Sequence, residues 1–268
     1  MKPSKWDQRI ERAQELARAH PFAADVLRFY KQVAILQKDV YSCLEGMKGN
    51  GFAKPGVYLA DEQINLEFLL PKFPEFLSRI EAVSPEPIVQ AARILKSQDP
   101  SKRAELLSSY WRNDSQAESG PESMLVRTFL QPYAEFLADS VDSAYQSEAI
   151  GVCPFCHNEP VVGVLRPEGD GGKRSLICSL CQTEWKYGRI RCVACGEEAV
   201  EKLAVYTADQ FPHVRVEACD TCRYYIKTVD LTKNGLAVPV IDELATLPLN
   251  LWAQEHQYVK LQPNLLGI

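Results

Sequence analysis

Four C-x-x-C pairs constrain this chain more than any other feature: Cys153/Cys156, Cys178/Cys181, Cys192/Cys195 and Cys219/Cys222. They account for all but one of the 9 cysteines in 268 residues. The third pair begins 39 residues after the first and the fourth 41 after the second, so the segment reads as a near-duplicate. "CPFCHNEPVVGVL" aligns with "CVACGEEAVEKLAVY", and "LICSLCQTEWKY" with "EACDTCRYYIKT". Each copy runs C-x-x-C, strand, turn, strand, C-x-x-C. A C-x-x-C turn brings two thiolates to one face. A second such turn, laid alongside by a hairpin, completes a tetrahedron with metal–sulfur bonds of about 2.3 Å. A thioredoxin-type redox pair would instead open a helix after a strand, so four copies in duplicated hairpins point to metal ribbons. Sequential grouping, with 153/156/178/181 in one site and 192/195/219/222 in the other, gives each repeat a complete ligand set. A cross-brace joining the first and third pairs is the alternative.

Sites of this kind usually act as folding clips for lobes too small to build a core. An all-thiolate tetrahedron suits both zinc and iron. The expected cofactors are therefore two four-cysteine metal ions per chain, of either element. Only Cys195 is followed by glycine, Gly196; His157, Gln182 and Arg223 take that place after the other pairs. With four cysteines per site, His157 reads as a solvated loop residue. Trp185, Tyr187, Tyr224 and Tyr225 lie beside the cysteines and read as packing cover for small ribbons.

Upstream of about residue 150 the texture is helical. In "PFAADVLRFYKQVAILQKDVYSCLEGM" apolar residues recur at three- and four-residue steps, which predicts one long amphipathic helix with Cys43 as a small core residue. "DEQINLEFLLPKFPEFLSRIEAV" repeats the pattern, with Pro71 and Pro74 marking a kink or a start. Ser84 is placed to cap and Pro85 to fill the first turn of the next helix, which Pro100 stops. "SKRAELLSSYW" predicts a shorter helix and "RNDSQAESGPES" a loop. "MLVRTFLQPYAEFLADSVDSAY" returns to helix, interrupted at Pro132. Five or six helices in a bundle are expected. The fold class is α+β, laid out as a helical domain over 1–150, four-cysteine modules over 151–190 and 191–230, and a C-terminal helical tail over 231–268. In the tail, "PVIDELATLPLNLWAQEHQ" reads as helix with Pro248 inside it.

The formal net charge of −5 weighs against a nucleic-acid module, which usually carries a basic face. No secretory signal and no membrane-length apolar run is read, so the expected location is the cytoplasm, where closely spaced cysteines more often bind metal than form disulfides. There is no Walker motif, G-x-G-x-x-G, H-E-x-x-H or G-x-S-x-G, so no enzyme site is expected. Of the 4 histidines, His20 and His256 should sit near helix ends and His213 beside a strand.

The runs "CPFC", "CSLCQTEW", "RIRCVACG", "EACDTCRYYIKT" and "IDELATLPLNLW" resemble the formate dehydrogenase accessory proteins of FdhE type. The resemblance covers the whole length and is specific from about residue 151 onward. It implies a helical N-terminal domain followed by two rubredoxin-like modules whose metal ligands are the eight paired cysteines, and it raises iron beside zinc. It also implies a cytoplasmic factor that binds the catalytic subunit of a molybdenum- or tungsten-dependent formate dehydrogenase before twin-arginine export.

The leading expectation is a non-catalytic maturation factor for a formate dehydrogenase or a related exported oxidoreductase. Acidic runs such as "DELAT" and "GEEAVE" are candidate contacts for the client's twin-arginine signal region. A rubredoxin-like electron-transfer or redox-sensing protein is the rival; a zinc-ribbon nucleic-acid binder has the cysteines but the wrong charge.

Overall fold

The computed structural model describes residues 3–47, 64–112, 120–140, 151–169 and 171–268. Its helices are α1 (Lys5–Ala19), α2 (Ala24–Glu45), α3 (Leu66–Glu81), α4 (Glu86–Ser97), α5 (Pro100–Trp111) and α6 (Pro121–Asp139). They form a bundle whose core includes Leu27, Val33 and Leu44 of α2, Phe73 and Leu77 of α3, and Phe129 and Phe136 of α6. Helix α1 is the one that periodicity does not announce. Its buried face carries Arg9 and Arg12 beside Trp6, Ala13 and Leu16. Both arginines are neutralised from other elements: Arg9 donates to Glu135 of α6 at 2.8 Å, and Arg12 to Asp242 at 3.0 Å. A capping box starts the helix, with the Ser4 hydroxyl accepting from the Asp7 N–H and the Asp7 carboxylate accepting from the Ser4 N–H.

Several prolines and one cap behave differently from expectation. Pro132 does not interrupt α6. It removes the N–H that would bond the Thr128 carbonyl, and the Gln37 side-chain amide of α2 takes its place at 2.8 Å. Helix α3 runs through Pro71 and Pro74, and Pro100 begins α5 three residues beyond the last residue of α4. Ser84 does not cap α4; Pro85 occupies the cap position and the Ser84 hydroxyl finds no partner among the described residues. Residues 61–63 and 141–145 of the expected helices, and 113–119 of the expected loop, lie outside the described residues.

The two cysteine repeats share one sheet. Its strands are β1 (Pro160–Glu168), β2 (Gly171–Cys178), β3 (Glu184–Lys186), β4 (Leu203–Thr207), β5 (Val214–Cys219), β6 (Tyr224–Asp230) and β7 (Val259–Lys260). The order is β3-β2-β1-β6-β5-β4, with β7 added to β6. Within each repeat the strands are antiparallel, and the repeats join where β1 pairs with β6 in parallel. β1, β2 and β3 thus correspond to β4, β5 and β6. Strand alternation gives the sheet two apolar faces. Val162, Val164, Val214, Val216 and Tyr225 pack in a smaller core with Leu249 and Ala253. Leu176, Trp185 and Ile226 join the first cysteine group in the larger core, which is continuous with the bundle.

The tail is two helices rather than one, α7 (Pro239–Ala245) and α8 (Leu247–Glu255), with Pro248 in the first turn of α8. Asp242 and Glu243, offered by the sequence as client contacts, are 1% and 0% exposed. Asp242 bonds Arg12 and His213, while Glu243 pairs with Lys227 at 2.9 Å and Lys260 at 2.5 Å. These charges lock the tail to the bundle and sheet, so they offer nothing to a signal peptide. Among the described residues no helix is long and apolar enough to cross a membrane.

Candidate metal centres

The eight paired cysteines gather into two groups, 153/156/178/181 and 192/195/219/222, each with its four sulfurs within 4.8 Å of one another. The grouping is the sequential one. In the first group Cys153 Sγ lies 3.5 Å from Cys181 Sγ, and Cys156 Sγ 3.3 Å from Cys178 Sγ. In the second, Cys192–Cys222 and Cys195–Cys219 are 3.6 and 3.7 Å apart. Four sulfurs at about 2.3 Å from one ion would stand roughly 3.5–4 Å apart, so both groups fit a tetrahedral site with little adjustment.

Each group comes from two matching turns. The Cys153 N–H donates to Asn158 O, Cys178 N–H to Thr183 O and Cys192 N–H to Glu197 O, while His157, Gly196 and Arg223 N–H donate back to the first cysteine of their pairs. Closing these turns requires a left-handed residue after the second cysteine. Gly196 has φ +77°, and His157, Gln182 and Arg223 hold φ of 60°, 58° and 63°. The glycine missing from three pairs is therefore a difference in side chain, not in backbone shape. His157 is exposed, in keeping with a loop residue.

Environment separates the two groups. Cys153, Cys156, Cys178 and Cys181 are all buried with Phe155, Leu180 and Trp185, whereas Cys195 is exposed and Cys222 half-buried. Burial pushes the Cys178 and Cys181 thiols well up, while hydrogen bonds from the neighbouring cysteines hold Cys156 well down. Without a cation this pocket cannot hold four thiolates. The donors that do reach it are suited to sulfur anions: the Phe155 and Leu180 N–H groups point at Cys153 and Cys178 Sγ at 3.4 and 3.3 Å, and the Thr183 hydroxyl lies 3.1 Å from Cys181 Sγ. The residues present fit a soft divalent ion such as zinc or iron. Arg127 of α6 donates to Pro263 O of the tail at 3.5 Å. The bundle also touches the first group's turn directly, through the Gln131 amide on Ser179 O at 3.2 Å.

Other candidates resolve plainly. Cys43 is exposed, not a core residue, because it projects from α2 away from the stripe of Val40 and Leu44. Trp185, Tyr187 and Tyr225 are packed inside, and Tyr224 is 41% exposed. His213 bonds Asp242 at 2.8 Å, and His20 and His256 stand at the C-caps of α1 and α8.

Comparison with known proteins places these groups in a context. Residues 152–189 match the family model described as FdhE, central domain, and residues 190–266 the one described as FdhE, C-terminal domain. Each matched segment holds one complete four-cysteine group: Cys153 to Cys181 in the first and Cys192 to Cys222 in the second. The chain is 28% identical over 254 residues to a protein FdhE homolog of Aquifex aeolicus, covering 92% of this chain and 87% of that one. It is 30% identical over 199 residues to a homolog from Rhizobium meliloti, covering 72% and 65%. The crystal structure of the FdhE protein from Pseudomonas aeruginosa superposes with a TM-score of 0.73 at 24% identity, over 99% of this chain and 97% of that chain, and so shares the fold.

Proposed function

With FdhE-family central and C-terminal domains making up residues 152–266, the chain is FdhE-like, and we propose that it is a non-catalytic accessory factor for formate dehydrogenase or a related exported oxidoreductase. It binds the catalytic subunit in the cytoplasm, before twin-arginine export, and supports its assembly. The observation that carries this reading is that each of the two matched domains contains one complete four-thiol group. Cys153, Cys156, Cys178 and Cys181 would hold one ion and Cys192, Cys195, Cys219 and Cys222 the other. A bound divalent ion supplies the charge that keeps four thiolates together and so clips each hairpin; iron would add a one-electron couple. The chain's own residues do the rest. The backbone N–H groups orient the sulfurs, Phe155 and Leu180 pack with the buried cysteines of the first site, and Gln131 ties that site to the bundle.

One observation favours a second reading for the second site alone. Cys195 is exposed, so an iron there could exchange electrons with a docked partner, whereas the first site is sealed.

The test is co-purification. Tagged, metal-loaded chain is expressed beside the catalytic subunit of formate dehydrogenase in cells lacking their own accessory factor. Recovery of a stoichiometric complex, with formate dehydrogenase activity restored, is expected. Restored activity with zinc alone in both sites would remove the electron-transfer reading. No complex and no restoration would overturn the accessory role.

A further inference from the structure

The two repeats are built alike but finished differently at one edge. In the first repeat, β1 carries β6 along its outer edge in parallel, with Gly163 opposite Thr228 and Leu165 opposite Asp230. Gly163 leaves room for that neighbour: a Cβ there would meet Thr228 Oγ1 at 2.3 Å. In the second repeat the corresponding strand is β4, and the register places Val205 where the first has Gly163. β4 pairs only with β5 and is a terminal strand of the sheet. Val205 is 54% exposed there, with Val200 at 66% and Ile190 at 57% nearby.

These three residues, with Tyr224, line a groove of about 200 Å³ beside the second cysteine group. Edge strands that must stay unpaired usually carry charges. The opposite edge strand, β3, obeys that rule: it is three residues long, with Glu184 and Lys186 flanking Trp185. β4 breaks it, reading Leu-Ala-Val-Tyr-Thr with no charge in five residues. The charge sits on the groove instead. Arg189, Arg191 and Arg215 line it; Arg215 is paired with Glu217, Arg191 lies 3.6 Å from Glu198, and Arg189 makes no ion pair among the described residues. Glu217, the one acidic lining residue, is already held between Arg174 and Arg215, so the lining is net positive.

We propose that the β4 edge and this groove receive an extended, apolar segment of a protein partner, headed by acidic residues, which adds to the sheet parallel to β4 as β6 adds to β1. Strand addition supplies main-chain hydrogen bonds, the groove takes alternate apolar side chains, and Arg189 takes a carboxylate. A basic twin-arginine pair does not match this lining. The proposal deepens the client-binding reading above and rests on it for the partner's identity; the surface itself is defined by the chain alone.

Two measurements test it on the metal-loaded full chain. The first uses a capped synthetic peptide, Asp-Asp-Val-Thr-Val-Thr-Val-Thr, and its Lys-Lys-headed counterpart, read by amide hydrogen exchange over residues 203–207. The acidic peptide is expected to protect the outward β4 amides and to bind at least tenfold more tightly than the basic one. Val205→Lys should abolish the protection, and Arg189→Glu should reverse the charge preference; both sites are exposed, so folding is checked by unchanged metal content. Lack of protection, indifference to either substitution, amides already protected in the free chain, or concentration-dependent self-association through β4 would each overturn the proposal. The second compares capture of the formate dehydrogenase catalytic subunit by the parent chain and by Val205→Lys. Loss in the variant alone supports the proposal. Equal capture overturns it while leaving the accessory role intact, and capture by neither removes the client reading on which the partner's identity rests.

Discussion

Metal release should separate the two sites, and the structure sets the size of the separation. A chelator must reach a sulfur or the ion. At the second site Cys195 is exposed, so no opening is needed. At the first, Cys153 and Cys178 are 0% exposed and Cys181 2%, in one buried cluster with Phe155 and Leu180. Burying a large apolar side chain stabilises by about 1.5–3 kcal/mol, so exposing those two costs about 3–6 kcal/mol. At about 1.4 kcal/mol per factor of ten, release from the first site should lag by about 10²- to 10⁴-fold. The assay is absorbance of a chromogenic chelator in excess over metal-loaded full-length protein, with the phases assigned by Cys195→Ser. Two phases are expected, and the variant should lose the fast one. A single phase, or loss of the slow phase in Cys195→Ser, would refute the argument that burial controls access.

Three further outcomes follow from particular contacts. Gln37→Leu leaves the Thr128 carbonyl, freed by Pro132, without its donor, so urea denaturation should show a loss of about 1–3 kcal/mol; no change would mean that the carbonyl is otherwise satisfied. Glu243, paired with Lys227 and Lys260, titrates at about 2 rather than the usual 4.5 despite the burial that opposes its charge. Its stabilisation, on the order of 3 kcal/mol, is present above pH 4.5 and lost as the pH falls towards 2, and Glu243→Gln should flatten that acid limb of the stability profile. His157→Gly relieves a left-handed residue whose side chain is exposed, so stability should rise by about 0.5–1 kcal/mol with metal content unchanged; a lost ion would make His157 a ligand.

Spacing made the cysteine groups legible because C-x-x-C turns and hairpins are local: which sulfurs meet depends on a few residues each. The bundle was legible wherever the buried stripe is apolar, as in α2, and illegible in α1, where Arg9 and Arg12 occupy the stripe and are neutralised by residues far away in the chain. Pro132 misled for the same reason, since its compensation comes from Gln37 on another helix. The acidic run at Asp242 and Glu243 looked like a surface because charge alone does not reveal the buried Arg12, Lys227 and Lys260 waiting for it. The join between the repeats was hidden too. A parallel pairing of β1 with β6 is a long-range contact, and its one local trace is the glycine at 163.

The central claim is that two four-thiolate metal centres organise residues 151–268, and native mass spectrometry with visible absorption tests it most directly. Protein purified without oxygen, from cells supplied with both metals, should carry two ions per chain. A red ferric-thiolate spectrum on oxidation would assign iron, and a colourless protein zinc. A folded chain whose native mass shows no stoichiometric metal would contradict the account.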